Sequence, residues 1–128
     1  MRDFKELKVW QKSHELTMKI YRASGGFPRR EMFGLTTQLR RASSSVGANL
    51  AEGCGRQTDG ELGRYVQIAM GSASELEYHL LLARDLEYLA KSEFDDLQTD
   101  LTLVRKMLAS LLKAVTGKAK AAQSGSPD

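Results

Sequence analysis

The sequence predicts an all-α chain, an up-down-up-down antiparallel four-helix bundle over residues 1–116. Three observations predict it. Apolar residues recur at steps of three and four through most of the chain, the spacing of one helix face. Only two prolines occur, Pro28 and Pro127, so long stretches are free to be helical. No stretch alternates apolar and polar residues as a half-buried strand would, and short glycine-rich breaks separate the periodic segments.

The first helix is expected from about Leu7 to Ala23, with Val9, Trp10, Leu16, Thr17, Ile20 and Tyr21 as its apolar stripe. Ser24-Gly25-Gly26 stops it, since glycine readily takes the left-handed conformation at a helix end. Pro28 suits the first position of a second helix, where its missing N–H would have no partner anyway. That helix is expected to run from Pro28 to Glu52, with Leu35, Leu39, Ala42, Val46 and Leu50 on one face. Ser43, Gly47 and Ala51 form a small-residue line beside that face, where another backbone can come close. Gly71 and Ser72 are the expected counterpart across from Gly47.

Thr58-Asp59-Gly60-Glu61 reads as a capping box, and the third helix should follow it to about Leu89. Leu62, Tyr65, Ala69, Ser72, Leu76, Leu80 and Ala83 should line its inner face. Ser92-Glu93-Phe94-Asp95 resembles a second cap. Phe94, Leu97, Leu101, Val104, Leu108, Leu111 and Val115 then give the cleanest pattern in the chain, a 3.5-residue period typical of a left-handed bundle seam. Met18, Met32, Met70 and Met107 read as gap-fillers of the bundle. Residues 117–128 are small and polar and are expected to form a disordered tail.

Composition narrows the function classes. No apolar run approaches the roughly 20 residues that span a bilayer. The charged N-terminus lacks a signal-peptide core, and the single Cys54 suits a reducing compartment, so a cytoplasmic location is expected. Residues 1–58 carry 11 Lys and Arg against 5 Asp and Glu, whereas residues 59–116 carry 6 against 10. Such an asymmetry could make a nucleic-acid face, or the two halves could pair with each other.

Chemistry-bearing constellations are sparse. A di-iron bundle needs Glu-x-x-His pairs, but Gln11 precedes His14 and Leu76 precedes His79 at that spacing. No metal or other cofactor is expected. Cys54 in its glycine-rich turn has Arg56 nearby, which could lower its pKa, yet no nucleophile arrangement surrounds it. The glycines there lack the P-loop pattern. An enzyme is therefore not expected. The remaining polar constellation is Arg40, Arg41 and Asn49 on the second helix with Glu75 and Glu77 on the third, read as a structural ion-pair network. At least one of those arginines is expected to be buried against a carboxylate, because a buried unpaired charge is costly.

The order and spacing of several segments resemble a known family. They are Leu7-x-Val9-Trp10-Gln11-Lys12, Ile20-Tyr21, Phe27-Pro28-x-x-Glu31 and Gly34-Leu35-x-x-Gln38-Leu39-Arg40-Arg41-Ala42. Ser45-Val46, Asn49-Leu50-Ala51-Glu52-Gly53 and Ile68-Ala69-x-Gly71-Ser72-x-x-Glu75-Leu76-Glu77 follow. Together they resemble the small bacterial four-helix proteins encoded in intervening sequences of 23S ribosomal RNA genes. These are similar to the accessory variability protein of diversity-generating retroelements. The resemblance implies a bundle that assembles as a ring homo-oligomer, a pentamer; the retroelement members bind nucleic acid and a reverse transcriptase through a basic surface, whereas the ribosomal-gene members have no established activity. In such a ring Lys5, Lys8, Lys12, Lys19, Arg22, Arg29 and Arg30 could form one basic band that grips RNA or DNA through phosphates. The competing expectation is an oligomeric scaffold whose partner is another protein.

Overall fold

The computed structural model describes residues 2–124, with side-chain surroundings as far as Gly117. Four α-helices and no strand occur among the described residues. A short 3-10 turn at Phe4–Glu6, capped by the Asp3 side chain accepting from the Lys5 N–H, leads into α1, Lys8–Ser24. Arg2 N–H donates to the Cys54 carbonyl at 2.9 Å, and its guanidinium meets Asp59 at 2.9 Å. The N-terminal strap thereby covers the end of α2, Leu35–Cys54.

Helix α2 starts later than the Pro28 position suggests. Arg29–Glu31 form a 3-10 turn, and Gly34 (φ −124°, ψ −114°) leaves helical geometry before Leu35. The Glu31 carboxylate stabilises this break by accepting from Tyr88 Oη at 2.8 Å and from the Leu35 N–H at 3.5 Å. After the turn at Gly55, Thr58 accepts from the Glu61 N–H at 3.1 Å and caps α3, Asp59–Asp85. This helix stops four residues short of Leu89, because Glu87 turns into the left-handed region at φ 64°. Helix α4, Lys91–Ser124, opens with Glu93 reaching back to the Ala90 N–H at 3.1 Å. It continues through Gly117 to Ser124, over most of the stretch expected to be a disordered tail. That stretch, Lys-Ala-Lys-Ala-Ala-Gln, consists of strong helix formers with no proline before Pro127. Residues 125–128 of the expected tail lie outside the described residues.

The core is one contiguous cluster to which all four helices contribute. All five positions of the expected α2 face are buried, as are Phe94, Leu97, Leu101, Val104, Leu108 and Val115 of α4. On α3 the core also takes Val66 and Ala73, while Tyr65 and Ser72 stand at its edge. Tyr21, expected in the α1 stripe, is half exposed, and so are Met18 and Met32; Met70 and Met107 do pack against the core.

Contacts between neighbouring helices run in descending register. Trp10, Thr17 and Ser24 of α1 meet Gly47, Ser43 and Arg40 of α2. Ser72 and Leu62 of α3 meet Ser45 and Gly53 of α2. Gly63, Ser74 and Arg84 of α3 meet Val115, Arg105 and Phe94 of α4. Lys12 and Lys19 of α1 meet Asp100 and Asp96 of α4.

Gly47 does permit a close approach, but its partner is the Trp10 side chain on α1, with Nε1 3.3 Å from where a Cβ would lie. The expected partner Gly71 is elsewhere, and a Cβ added there would meet nothing within 4 Å. Among the described residues, no neighbour therefore offsets the roughly 1 kcal/mol that glycine costs inside a helix.

Candidate nucleic-acid interface

Two of the seven cations of the expected band, Lys12 and Lys19, are engaged by carboxylates of the same chain. Lys12 and Lys19 are two helical turns apart, so they leave the same side of α1. That side faces α4, where Asp96 and Asp100 stand four residues apart. Lys19 Nζ lies 2.8 Å from Asp100 and 3.1 Å from Asp96, and Lys12 Nζ lies 3.3 Å from Asp100. The side chain of Asp100 is only 10% exposed. Burial alone would push its carboxyl up, but hydrogen bonds and charge from Lys19 and Lys12 outweigh burial and hold it below the usual carboxylate range. Lys19 is raised in turn by its hydrogen bonds to Asp100 and then Asp96. These two lysines thus join α1 to α4, and a phosphate would have to displace a carboxylate to reach them.

Lys5, Lys8, Arg22, Arg29 and Arg30 are exposed, and none has an ion pair among the described residues. They fall into two groups at opposite ends of α1. Lys8 shares a cleft of about 350 Å³ with Leu7, Met107, Ser110 and Lys106 of α4. Lys106 is exposed and was not part of the expected band. Its signal was weak, because only the fold brings residue 106 beside residue 8. At the other end Arg22 lines a cleft with Lys19, Glu93 and Asp96, so carboxylates temper its charge. Arg29 and Arg30 sit on the α1–α2 turn.

The expected polar network also divides. Among the described residues, Arg40 does not meet a carboxylate. Its guanidinium donates to Ser24 Oγ at 2.9 Å and to the Tyr21 carbonyl at 3.3 Å, and it lies over the Tyr21 ring, 4.7 Å from the centroid. These contacts, with part of the group still in water, replace the expected counter-ion. Arg41 is exposed and lines a polar cleft with Gln38, Ser45, Ser72 and Glu75. Asn49 donates to the Ser45 carbonyl at 2.8 Å, and Ser45 bonds Ser72 at 2.9 Å. Glu75 bonds His79 at 3.3 Å on its own helix. Glu77 turns to α4 instead, accepting from Arg105 at 2.6 Å and from Gln98 at 2.8 Å.

Cys54 is the last residue of α2 and is buried, and burial pushes its thiol up more than the nearby Arg2 lowers it. Arg56 spends its guanidinium on Glu52 and Tyr65 rather than on the thiol. Among the described residues, no group of three His, Cys, Asp or Glu side chains stands close enough to share a metal ion. Nor is any described helix long and apolar enough to cross a membrane.

A family model described as 23S rRNA-intervening sequence protein matches residues 5–110. Among solved structures, the chain is similar to the crystal structure of a protein with unknown function from the S23 ribosomal protein family of Bacteroides thetaiotaomicron. That likeness has 28% identity and a TM-score of 0.76, and it covers 82% of this chain and 98% of that one. Comparison with curated proteins finds no match.

Proposed function

The chain belongs to the 23S rRNA-intervening sequence protein family, and from that premise we propose that it is a non-enzymatic, oligomeric accessory protein that binds nucleic acid through phosphates. The descending register between neighbouring helices supports an up-down-up-down antiparallel bundle as its building block. A closed homo-oligomer working in the cytoplasm, five subunits by family resemblance, repeats each surface cation and strengthens a modest net charge of +3 per chain.

One observation carries the nucleic-acid reading. Lys8 and Lys106 line one cleft, Lys5 is three residues from Lys8, and none of the three has an ion pair among the described residues. Long, unpaired cations without a stacking platform grip phosphate and not base edges, so binding should be weakly sequence-selective and steeply salt-dependent. The test is a gel shift with structured RNA and duplex DNA over a range of salt. Wild type should shift both at low salt, and Lys5→Gln/Lys8→Gln/Lys106→Gln should flatten the salt slope. No shift by wild type even at low salt would overturn the reading.

A protein-scaffold reading, in which the oligomer gathers a protein partner without binding nucleic acid, is favoured by a different observation. Phe33 is 97% exposed on the α1–α2 turn, an unusual place for a large apolar side chain.

A further inference from the structure

We infer that the cleft between α3 and α4 binds a small phosphomonoester, its phosphate held by Arg105, Lys106, Ser74 and Thr102 and its apolar body lying on Met70 and Ala109. This site goes beyond the nucleic-acid reading and shares only Lys106 with it. Met70, Ser74 and Glu77 are four and three residues apart on α3, and Thr102, Arg105, Lys106 and Ala109 have the same spacing on α4. Each set therefore leaves one side of its helix. Between them lie about 450 Å³. Ligand sites of helix bundles form between helices and span roughly 300–1,000 Å³.

The acceptors of this cleft are already used by the chain. Both Glu77 oxygens are taken, Oε1 by Arg105 at 2.6 Å and Oε2 by Gln98 at 2.8 Å. Ser74 Oγ accepts from Arg105 at 3.3 Å, and Thr102 Oγ1 accepts from Gln98 at 3.4 Å. Gln98 Oε1 has no partner among the described residues, but it is buried and does not line the cleft.

The donors, by contrast, have capacity to spare. Glu77 and Ser74 take only two of the five N–H groups of the Arg105 guanidinium. Lys106 is exposed and has no ion pair among the described residues. Helical hydroxyls commonly donate back to a carbonyl about one turn earlier, as Thr17, Ser24, Ser43 and Thr99 do. Ser74 and Thr102 make no such bond among the described residues, so both keep an O–H for a ligand.

A cleft with spent acceptors and free donors selects an oxyanion. Two cations and one carboxylate line it, which leaves one positive charge in excess. A phosphomonoester presents three strong acceptor oxygens, one more than a carboxylate, to the guanidinium, the ammonium and the two hydroxyls. Glu77 and Ser74 already hold the guanidinium in place, so its planar fork loses little freedom when a phosphate arrives. The rest of the cleft is apolar. Met70 packs against the core and Ala109 is exposed, which offers thioether and methyl surface to a compact body beside the phosphate.

Equilibrium dialysis of phenyl phosphate against the purified full-length chain tests this. Wild type should bind one molecule per chain, more tightly than benzoate and more tightly than inorganic phosphate. Arg105→Gln should weaken binding at least about tenfold, the loss expected for a hydrogen bond to a charged group. Ser74→Ala and Thr102→Val should each weaken it about threefold to tenfold. Ala109→Leu fills the apolar end without touching a charge. It should bring phenyl phosphate down to the affinity of inorganic phosphate and leave the melting temperature unchanged, because the position is exposed and leucine is a good helix former. Gel shifts of RNA by Thr102→Val and Ala109→Leu should match wild type, so this site and the nucleic-acid reading fail separately. Absence of phenyl phosphate binding at millimolar concentration, or binding that Thr102→Val and Ala109→Leu leave unchanged, would overturn the site. Benzoate bound as tightly as phenyl phosphate would overturn the phosphate assignment, and inorganic phosphate bound as tightly would overturn the apolar body.

Discussion

Lys19 Nζ and Asp100 Oδ2 lie 2.8 Å apart across the seam between α1 and α4, although 81 residues separate them in sequence. Removing the carboxylate leaves Lys12 and Lys19 close together without their shared counter-ion. Asp100→Asn should therefore lower stability by roughly 1.5–3 kcal/mol, the range for hydrogen bonds to charged groups. The pH dependence follows from the depressed carboxyl. Its contribution is present above the unfolded-state value near 4 and is lost as pH falls through the lower folded value. The melting-temperature gap between wild type and Asp100→Asn should be full at pH 7 and shrink below about pH 4. A gap that stays constant down to pH 2 would contradict the ion-pair account.

The same seam separates structure from ligand binding. Lys12→Gln/Lys19→Gln should lower the melting temperature and leave the salt slope of RNA binding nearly unchanged. The slope should move only with Lys5, Lys8 and Lys106. If the Lys12/Lys19 pair alone abolishes binding at unchanged stability, the assignment of these lysines is reversed.

Leu108 is fully buried in the α4 seam. Leu108→Ala should cost roughly 2–5 kcal/mol, from lost transfer energy and the cavity left behind. Thermal or urea unfolding measures it directly, and an unchanged midpoint would show that the seam does not carry the core.

Two glycines of α2 should respond differently to a methyl group. At Gly53 a Cβ would lie 2.8 Å from Tyr65 Cβ and 2.9 Å from Leu62 Cδ1, so α3 must move away. Gly53→Ala should destabilise by about 1–3 kcal/mol, the range for overpacking. At Gly47 the nearest atom is Trp10 Nε1 at 3.3 Å, a side chain that can give by a few tenths of an ångström. Gly47→Ala should be close to neutral, whereas Gly47→Leu should displace Trp10 and destabilise. Equal unfolding midpoints for Gly53→Ala and Gly47→Ala would rule out this reading of the α2–α3 contact.

The faces of α2 and α4 were legible because helical periodicity is a one-dimensional signal. Leu39, Val46 and Leu50, or Leu101, Val104 and Leu108, can be placed on a face without knowing what lies opposite. Partners across helices were not legible. Gly47 signalled close packing, but nothing in the local sequence distinguishes Trp10 from Gly71 as the neighbour. The pairing of two lysines of the basic band was hidden for a related reason. Lys12 and Lys19 look like surface cations on α1 alone, and only the fold brings Asp96 and Asp100 beneath them. An acidic pair four apart and a lysine pair seven apart was the available hint. The late start of α2 depends on Glu31 accepting from Tyr88, a contact across 57 residues that no capping pattern near Pro28 encodes.

The Asp100 clamp also has a kinetic meaning. Helix pairs α1–α2, α2–α3 and α3–α4 are neighbours in sequence and can form through short loops. The α1–α4 seam alone must close a loop of most of the chain, a step whose entropy grows with length. If that seam zips last, its ion pairs form after the rate-limiting barrier. Asp100→Asn would then accelerate unfolding and leave the refolding limb of a chevron almost unmoved, so that Asp100 governs how long the native state persists more than how fast it is reached.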